Sequence, residues 1–259
     1  MDNIKNDILV AKSLSMNFKD REGNYFKVIN EISFIEKDGE FVSVLGPSGC
    51  GKTTLLKIIA GLIRPSFGEV FVNGNKVDVP SKERGMVFQA FTPFDWLTVE
   101  KNVEFGLRIN KYKSANRREV VLKYLKAVGL FEFKNQYPSI LSGGMKQRLA
   151  IARTLVNNPK ILLLDEPFGS LDVETRWEMR KLLLEIWKNE ACTILFVTHD
   201  LDEALYLSDR IIILGKRPTE IIKEISVPFK RPREESLKYS NEFMMLNREL
   251  EIFIHSERS

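Results

Sequence analysis

Leu45-Gly46-Pro47-Ser48-Gly49-Cys50-Gly51-Lys52-Thr53-Thr54 lies between the apolar runs Phe41-Val42-Ser43-Val44-Leu45 and Leu55-Leu56-Lys57-Ile58-Ile59-Ala60. The first run reads as a buried parallel strand and the second as a helix. Strand, Gly-rich turn, Gly-Lys-Thr and helix are the setting in which G-x-x-x-x-G-K-[ST] means a phosphate-binding loop. Gly46, Gly49 and Gly51 let the backbone curl until successive N–H groups face one point. The new helix adds the positive end of its dipole there. Lys52 adds a full charge aimed at β and γ phosphates, and Thr53 offers a hydroxyl to Mg²⁺. A Gly-rich turn can match part of this pattern by chance; the complete pattern with both flanks leaves little room for that.

Two further apolar strands end in polar tips. Ile161-Leu162-Leu163-Leu164 runs into Asp165-Glu166, which places two acids at the C-terminal end of a buried parallel strand, where ligands bind in open α/β sheets. Asp165 can hold Mg²⁺, and Glu166 can polarise a water for attack on a γ-phosphate. A strand ending in solvated acids is the plainer alternative, and the upstream phosphate loop weighs against it. Thr193-Ile194-Leu195-Phe196-Val197-Thr198 ends in His199-Asp200, where a γ-phosphate contact is open to His199; His255, near the C-terminus, fits a surface role. Before the acids, Leu141-Ser142-Gly143-Gly144-Met145-Lys146-Gln147-Arg148 opens a helix. Ser142 can cap it, and the glycines leave exposed N–H groups as a second anion site, although a plain cap and turn would look the same.

The flanks read as supports. Ile8 to Phe18 and Phe26 to Ile35 alternate as antiparallel strands about the loop Asp20–Asn24, and Glu69 to Asn73 makes another strand. Phe18 either stacks on an adenine or packs in the core, with Tyr25 competing for the stacking role. Gly85 to Gln89 reads as a strand with a polar end. The aromatic loop around Pro93, Phe94, Asp95 and Trp96 is either a local mini-core or a docking surface. Helical spacing over Val99 to Ile109 and Ala115 to Val128 marks an all-helical insertion, about 92–140. After strands at Arg210–Leu214 and Glu220–Val227, Arg233 to His255 reads as a C-terminal helix.

The 259 residues allow one large α/β domain or two small lobes. A net charge of +4 is only mildly basic, so spread lysines account for it and nucleic acid is not an expected partner. The two cysteines, Cys50 and Cys192, form no metal or disulfide pattern, which points to a reducing compartment. Met1–Asn6 has no apolar signal core. No apolar run approaches the ~20 residues of a membrane span, so any work at a membrane requires another chain.

Taken together, Gly46–Thr53, Gln89, Leu141–Gln147, Ile161–Glu166, Ser170-Leu171-Asp172 and His199 resemble, in order and context, the ATP-binding subunits of ABC transporters. That resemblance implies an α/β fold: a phosphate-loop, RecA-like core with an antiparallel β-subdomain and an α-helical subdomain. It implies one ATPase domain over 1–232 and a C-terminal helix over 233–259. Gln89 is expected to touch Mg²⁺ and the attacking water, Asp165 to hold Mg²⁺ with Thr53, Glu166 to be the general base and His199 to contact the γ-phosphate. ATP is expected along Gly46, Pro47, Ser48, Gly49, Cys50, Gly51, Lys52, Thr53 and Thr54, with its base on Phe18. Ser142, Gly143 and Gly144 are expected to act on ATP held by a second copy, and Asp172 to lie between the copies.

A finer resemblance runs to importers of nitrate, sulfonates and taurine. Trp96-Leu97-Thr98-Val99, Asn102-Val103 and Gly106-Leu107 carry it, with Lys216-Arg217-Pro218, Pro228 and Arg231-Pro232-Arg233. Where that group usually has Pro-Gly after the arginine, this chain has Pro218-Thr219. The expected partners are transmembrane permease subunits, reached through Phe94–Leu97 and the helix from Val99, and indirectly a solute-binding protein. The expected place is the cytoplasmic face of the membrane, as a peripheral subunit. The alternatives are a soluble ABC-type ATPase without a permease and a phosphate-loop kinase, which would have no use for Leu141–Gln147.

Overall fold

The computed structural model describes residues 7–90, 92–190 and 192–257, so Met1–Asn6 lies outside the described residues. The chain forms two compact units, Met1–Pro80 with Thr193–Ser259, and Ser81–Cys192.

The first unit begins with β1 (Asp7–Lys19) and β2 (Tyr25–Lys37), an antiparallel pair. The turn between them forms because the Asp20 carboxylate accepts the N–H groups of Glu22 and Asn24 at 2.9 and 2.8 Å. All five residues of β3 (Phe41–Leu45) are buried, which explains why four of them are apolar; Ser43 is the buried exception. There follow α1 (Lys52–Ala60), β4 (Phe67–Val72) and β5 (Asn75–Lys76). β4 starts two residues before the expected Glu69. It joins β1, so that the antiparallel sheet runs β2-β1-β4-β5. α1 stops at Gly61, which is left-handed at φ 78°; a Cβ there would come 2.6 Å from the Val79 carbonyl oxygen.

The second unit holds β6 (Arg84–Val87), α2 (Val99–Ile109), α3 (Ser114–Ala127), α4 (Gly143–Leu155), β7 (Ile161–Asp165) and α5 (Val173–Glu190). β6 and β7 pair in parallel from Arg84↔Ile161 to Val87↔Leu164. β6 ends at Val87, so Gln89 lies beyond the strand, exposed, rather than at its tip. The aromatic loop is pinned by Asn102, fully buried on α2. Its side chain accepts from the Phe94 N–H and donates to the carbonyls of Phe94, Leu97 and Thr98, all at 2.8–3.0 Å. Phe94 packs on Phe105 at 4.6 Å between ring centres, while Trp96 is 72% exposed. The loop is therefore a mini-core at Phe94 and an open surface at Trp96.

The first unit resumes with β8 (Thr193–Thr198), α6 (Leu201–Leu207), β9 (Arg210–Leu214), β10 (Ile221–Ser226) and α7 (Asn241–Ser256). β3 lies between parallel β8 and β9, with β10 antiparallel outside β9. The C-terminal helix starts at Asn241, later than Arg233. Arg233 is instead buried, donating to the carbonyls of Leu205, Tyr206, Ser208 and Phe229, and Ser240 caps α7 by accepting from the Phe243 N–H at 3.2 Å. Phe243 and Leu250 of α7 then join Leu45, Leu201, Leu205 and Ile213 in one core cluster.

Candidate active site

In the first unit, the chain leaves β3 and curls before α1. Gly49 at φ 76° and Gly51 at φ 127° occupy the region that favours glycine. A Cβ on Gly46 would come 3.1 Å from both Cys50 Sγ and Leu214 Cβ, so the loop is packed against β9 without room for a side chain. Cys50 is buried behind it as filler. The buried Lys52 ammonium donates to the Gly46 and Pro47 carbonyls at 2.8 and 3.0 Å. It is thus held across the loop that is expected to wrap a phosphate chain. Helices α2, α4, α6 and α7 are capped by the side chains of Thr98, Ser142, Asp200 and Ser240, whereas α1, like α3, has no side-chain cap and no acid in its first turn. Thr53 and Thr54 lie in the first turn of α1.

His199 follows β8 and is exposed. Its neighbours are firmly tied: the Thr198 hydroxyl donates to Glu203 at 2.7 Å and accepts from the Asp200 N–H at 3.0 Å, while Asp200 accepts from the Glu203 N–H at 3.0 Å. Gly46 and His199 line one cavity of about 780 Å³, and α7 supplies its opposite wall with Asn247, Glu251 and His255. His255 is exposed, as a surface residue would be, yet it shares this cavity with the other histidine. Phe18, half-buried at the end of β1, has its ring centre 6.2 Å from that of Phe26. Tyr25 is 70% exposed under the Lys19 ammonium, which leaves Phe18 the better-held ring.

In the second unit, Asp165 ends β7 and is 3% exposed. Glu166 follows at φ 43°, the left-handed region, where a bulky residue is strained. Its carbonyl accepts from the Gly169 N–H at 3.2 Å, closing a tight turn. Asp172 caps α5: its carboxyl lies below the usual range, first because the Thr175 N–H donates to it, then because the Thr175 hydroxyl does. At the start of α4, Ser142 is exposed and its hydroxyl accepts from the Met145 N–H at 3.3 Å. Gly144 is buried, and a Cβ there would come 2.4 Å from Thr175 Cγ2, so this glycine serves packing within its own chain. Gly143 and Ser142 are the outward-facing part of the motif. Gln147, fully buried, has neither amide atom hydrogen-bonded.

The chemistry of the donors suits Mg²⁺. The Thr53 hydroxyl, the Asp165 carboxylate and the Gln89 amide oxygen are each hard donors of the kind that Mg²⁺ takes. Among the described residues no group of three or more His, Cys, Asp or Glu is placed to hold a metal ion. Composition and motif did not single out Asn102 or Thr219 as supports, because Asn102 binds the backbone of an irregular loop and Thr219 binds backbone far away in the chain.

The sequence profile of the family described as ABC transporter matches residues 29–169. The taurine import ATP-binding protein TauB of Pelagibacter ubique is 47% identical over 221 residues, covering 85% of this chain and 83% of that protein. The nitrate import ATP-binding protein NrtD of Synechocystis is 43% identical over 249 residues, covering 96% and 92%. The dimeric post-hydrolysis structure of the ATP-binding cassette MJ0796, bound to ADP and Pi, superposes with a TM-score of 0.75 at 36% identity, covering 86% of this chain and all of that one. With the phosphate loop, the acid-tipped strand and the Leu-Ser-Gly-Gly motif in place, the chain belongs to the ABC transporter family, among its ATP-binding subunits.

Proposed function

We propose that this chain is the ATP-hydrolysing subunit of an ABC importer that powers uptake of a small solute, such as nitrate, a sulfonate or taurine, through a partner permease. The observation that carries it is a complete phosphate loop at an uncapped helix in a chain that also bears the Leu141–Gln147 motif. The relatives named above support the solute class. The domain is proposed to run to about residue 232 with the helix beyond it, at the cytoplasmic face of the membrane as a peripheral subunit. No helix among the described residues is long and apolar enough to cross a membrane.

The residues take these roles. The loop Gly46–Gly51, through its N–H groups other than Pro47, which has none, binds the phosphates together with Thr53 and Thr54; Lys52 balances β and γ charge, and Phe18 stacks on adenine. Glu166 accepts the proton of the attacking water, Gln89 orients that water, and His199 holds the γ-phosphate oxygens. Mg²⁺, held by Thr53, Asp165 and Gln89, neutralises phosphate charge when bound. One copy leaves part of the triphosphate uncovered. Ser142 and Gly143 of a second copy close over it, with Gly144 packed beneath them in its own chain, so ATP joins two copies and hydrolysis releases them. The exposed Trp96 and α2 dock on the permease, and a solute-binding protein delivers cargo from the other side.

Glu166→Gln tests the chemistry. ATP binding is expected to persist, turnover to fall by a factor on the order of 10² or more, and an ATP-held dimer to accumulate. Turnover near wild type would place the base elsewhere. Capture from a detergent extract tests the partner: a polytopic membrane protein is expected, and its repeated absence would favour a soluble ABC-type ATPase.

A further inference from the structure

The segment Lys216-Arg217-Pro218-Thr219 has no part in the mechanism above, yet it lies against the phosphate loop. Thr219 is fully buried. Its N–H donates to the Val28 carbonyl at 2.8 Å and its own carbonyl accepts from the Asn30 N–H at 2.9 Å, so the backbone is stitched to β2 on both sides. Its hydroxyl donates to the Cys50 carbonyl, a bond that glycine at this position would lack. A Cβ on Gly51 would come 3.1 Å from Val28 Cγ1 and 3.7 Å from the Thr219 hydroxyl, so loop and segment are in contact. Arg217 reaches the rim. Its Nη2 donates to the Gly49 carbonyl at 2.5 Å, and its guanidinium carbon lies 5.9 Å from the centre of the Phe26 ring. Phe26 is in turn the ring neighbour of Phe18. One side chain therefore touches both the loop and the aromatic pair.

We propose that Arg217 is a positioning residue for the nucleotide, a strut that fixes the span between the Phe18–Phe26 pair and the phosphate loop. It rests on Phe18 being the base platform proposed above. A ligand gripped at two ends gains from grips held at the right separation, whereas a ligand that engages one grip does not. Guanidinium suits the task because it donates in its plane to a carbonyl while presenting a face to a ring. A lysine would keep a donor and lose the face.

Equilibrium binding of ATP and of inorganic tripolyphosphate, each with Mg²⁺ at fixed salt, tests the strut in the full chain. Arg217→Ala is expected to raise the Kd for ATP about tenfold while the Kd for tripolyphosphate stays within about twofold, with Arg217→Lys intermediate for ATP. Equal weakening of both ligands would mean that Arg217 only shapes the loop, and would overturn the proposal; so would an unchanged Kd for ATP. Should Arg217→Ala fail to fold, Phe26→Leu, at a ring already 40% exposed, removes the other end of the strut. It is expected to weaken ATP and spare tripolyphosphate, and no such difference would overturn the idea. If the wild-type chain binds no ATP, the ATPase function and the strut both fall; if only the strut is wrong, wild-type binding stands.

Discussion

Glu36 is a carboxylic acid with no exposed surface, and beside the Val42 backbone its oxygens make no well-formed hydrogen bond. Burial raises its pKa well above 4.5, Glu40 adds to the rise, and Arg210 opposes it. The folded chain therefore keeps its proton there to a higher pH than the unfolded chain does. A raised carboxyl pKa means full stability below the unfolded value and progressive loss as pH climbs toward the folded one. Glu36→Gln removes that loss. Urea unfolding between about pH 5 and pH 8 is expected to show the variant gaining on wild type as pH rises. A difference independent of pH would mean that Glu36 is ionised in the fold. Nothing in the alternating pattern of β2 marks this residue, because an acid among apolar neighbours reads as the solvent face. The places of Lys52 at the start of α1 and of Asp165 at the end of β7 were legible, since they follow from the neighbours these residues have in the chain.

At the scale of elements, Arg231-Pro232-Arg233 is a clamp on the end of α6 and the start of β9. Arg231 pairs with Asp209 at 2.8 Å and donates to the Leu207 carbonyl, and Arg233 satisfies carbonyls at the close of α6. Burial first, and Arg231 second, push the Arg233 guanidinium down to about 10, so it is still charged at neutral pH. A cation on the last carbonyls of a helix also favours its dipole. Arg233→Ala strips several buried carbonyls of their donor and is expected to cost about 3 kcal/mol. The check is a lower urea midpoint at an unchanged slope; a midpoint within error of wild type would show those carbonyls finding water instead. Helices α2 and α3 were readable to within a residue or so from apolar spacing. The start of α7 was not, because Arg233 serves a tertiary clamp where local pattern continues a helix.

At the scale of the whole molecule, the proposed chemistry is divided: the phosphate loop and His199 belong to one unit, and Gln89, Ser142, Asp165 and Glu166 to the other. Pairing of two copies is tested at Ser142, which is exposed. Ser142→Arg is expected to leave nucleotide binding to each chain intact and to abolish ATP-dependent dimers, read by light scattering on a Glu166→Gln background. The lost helix cap costs at most about 2 kcal/mol, which a melting curve separates from blocked pairing. Dimers forming as before would remove Ser142 from any interface.

The chain by itself determined the phosphate loop, the acid-tipped and histidine-tipped strands and the order of the motifs, because each is a run of adjacent residues whose backbone setting and chemistry are local. Only the tertiary structure decided that His255 shares a cavity with His199, that Gly144 is filled by Thr175 rather than left open, that Glu36 is sealed from water, and that Arg217 bridges Gly49 and Phe26. Those depend on close packing between residues far apart in the chain, and no periodicity or spacing carries that information.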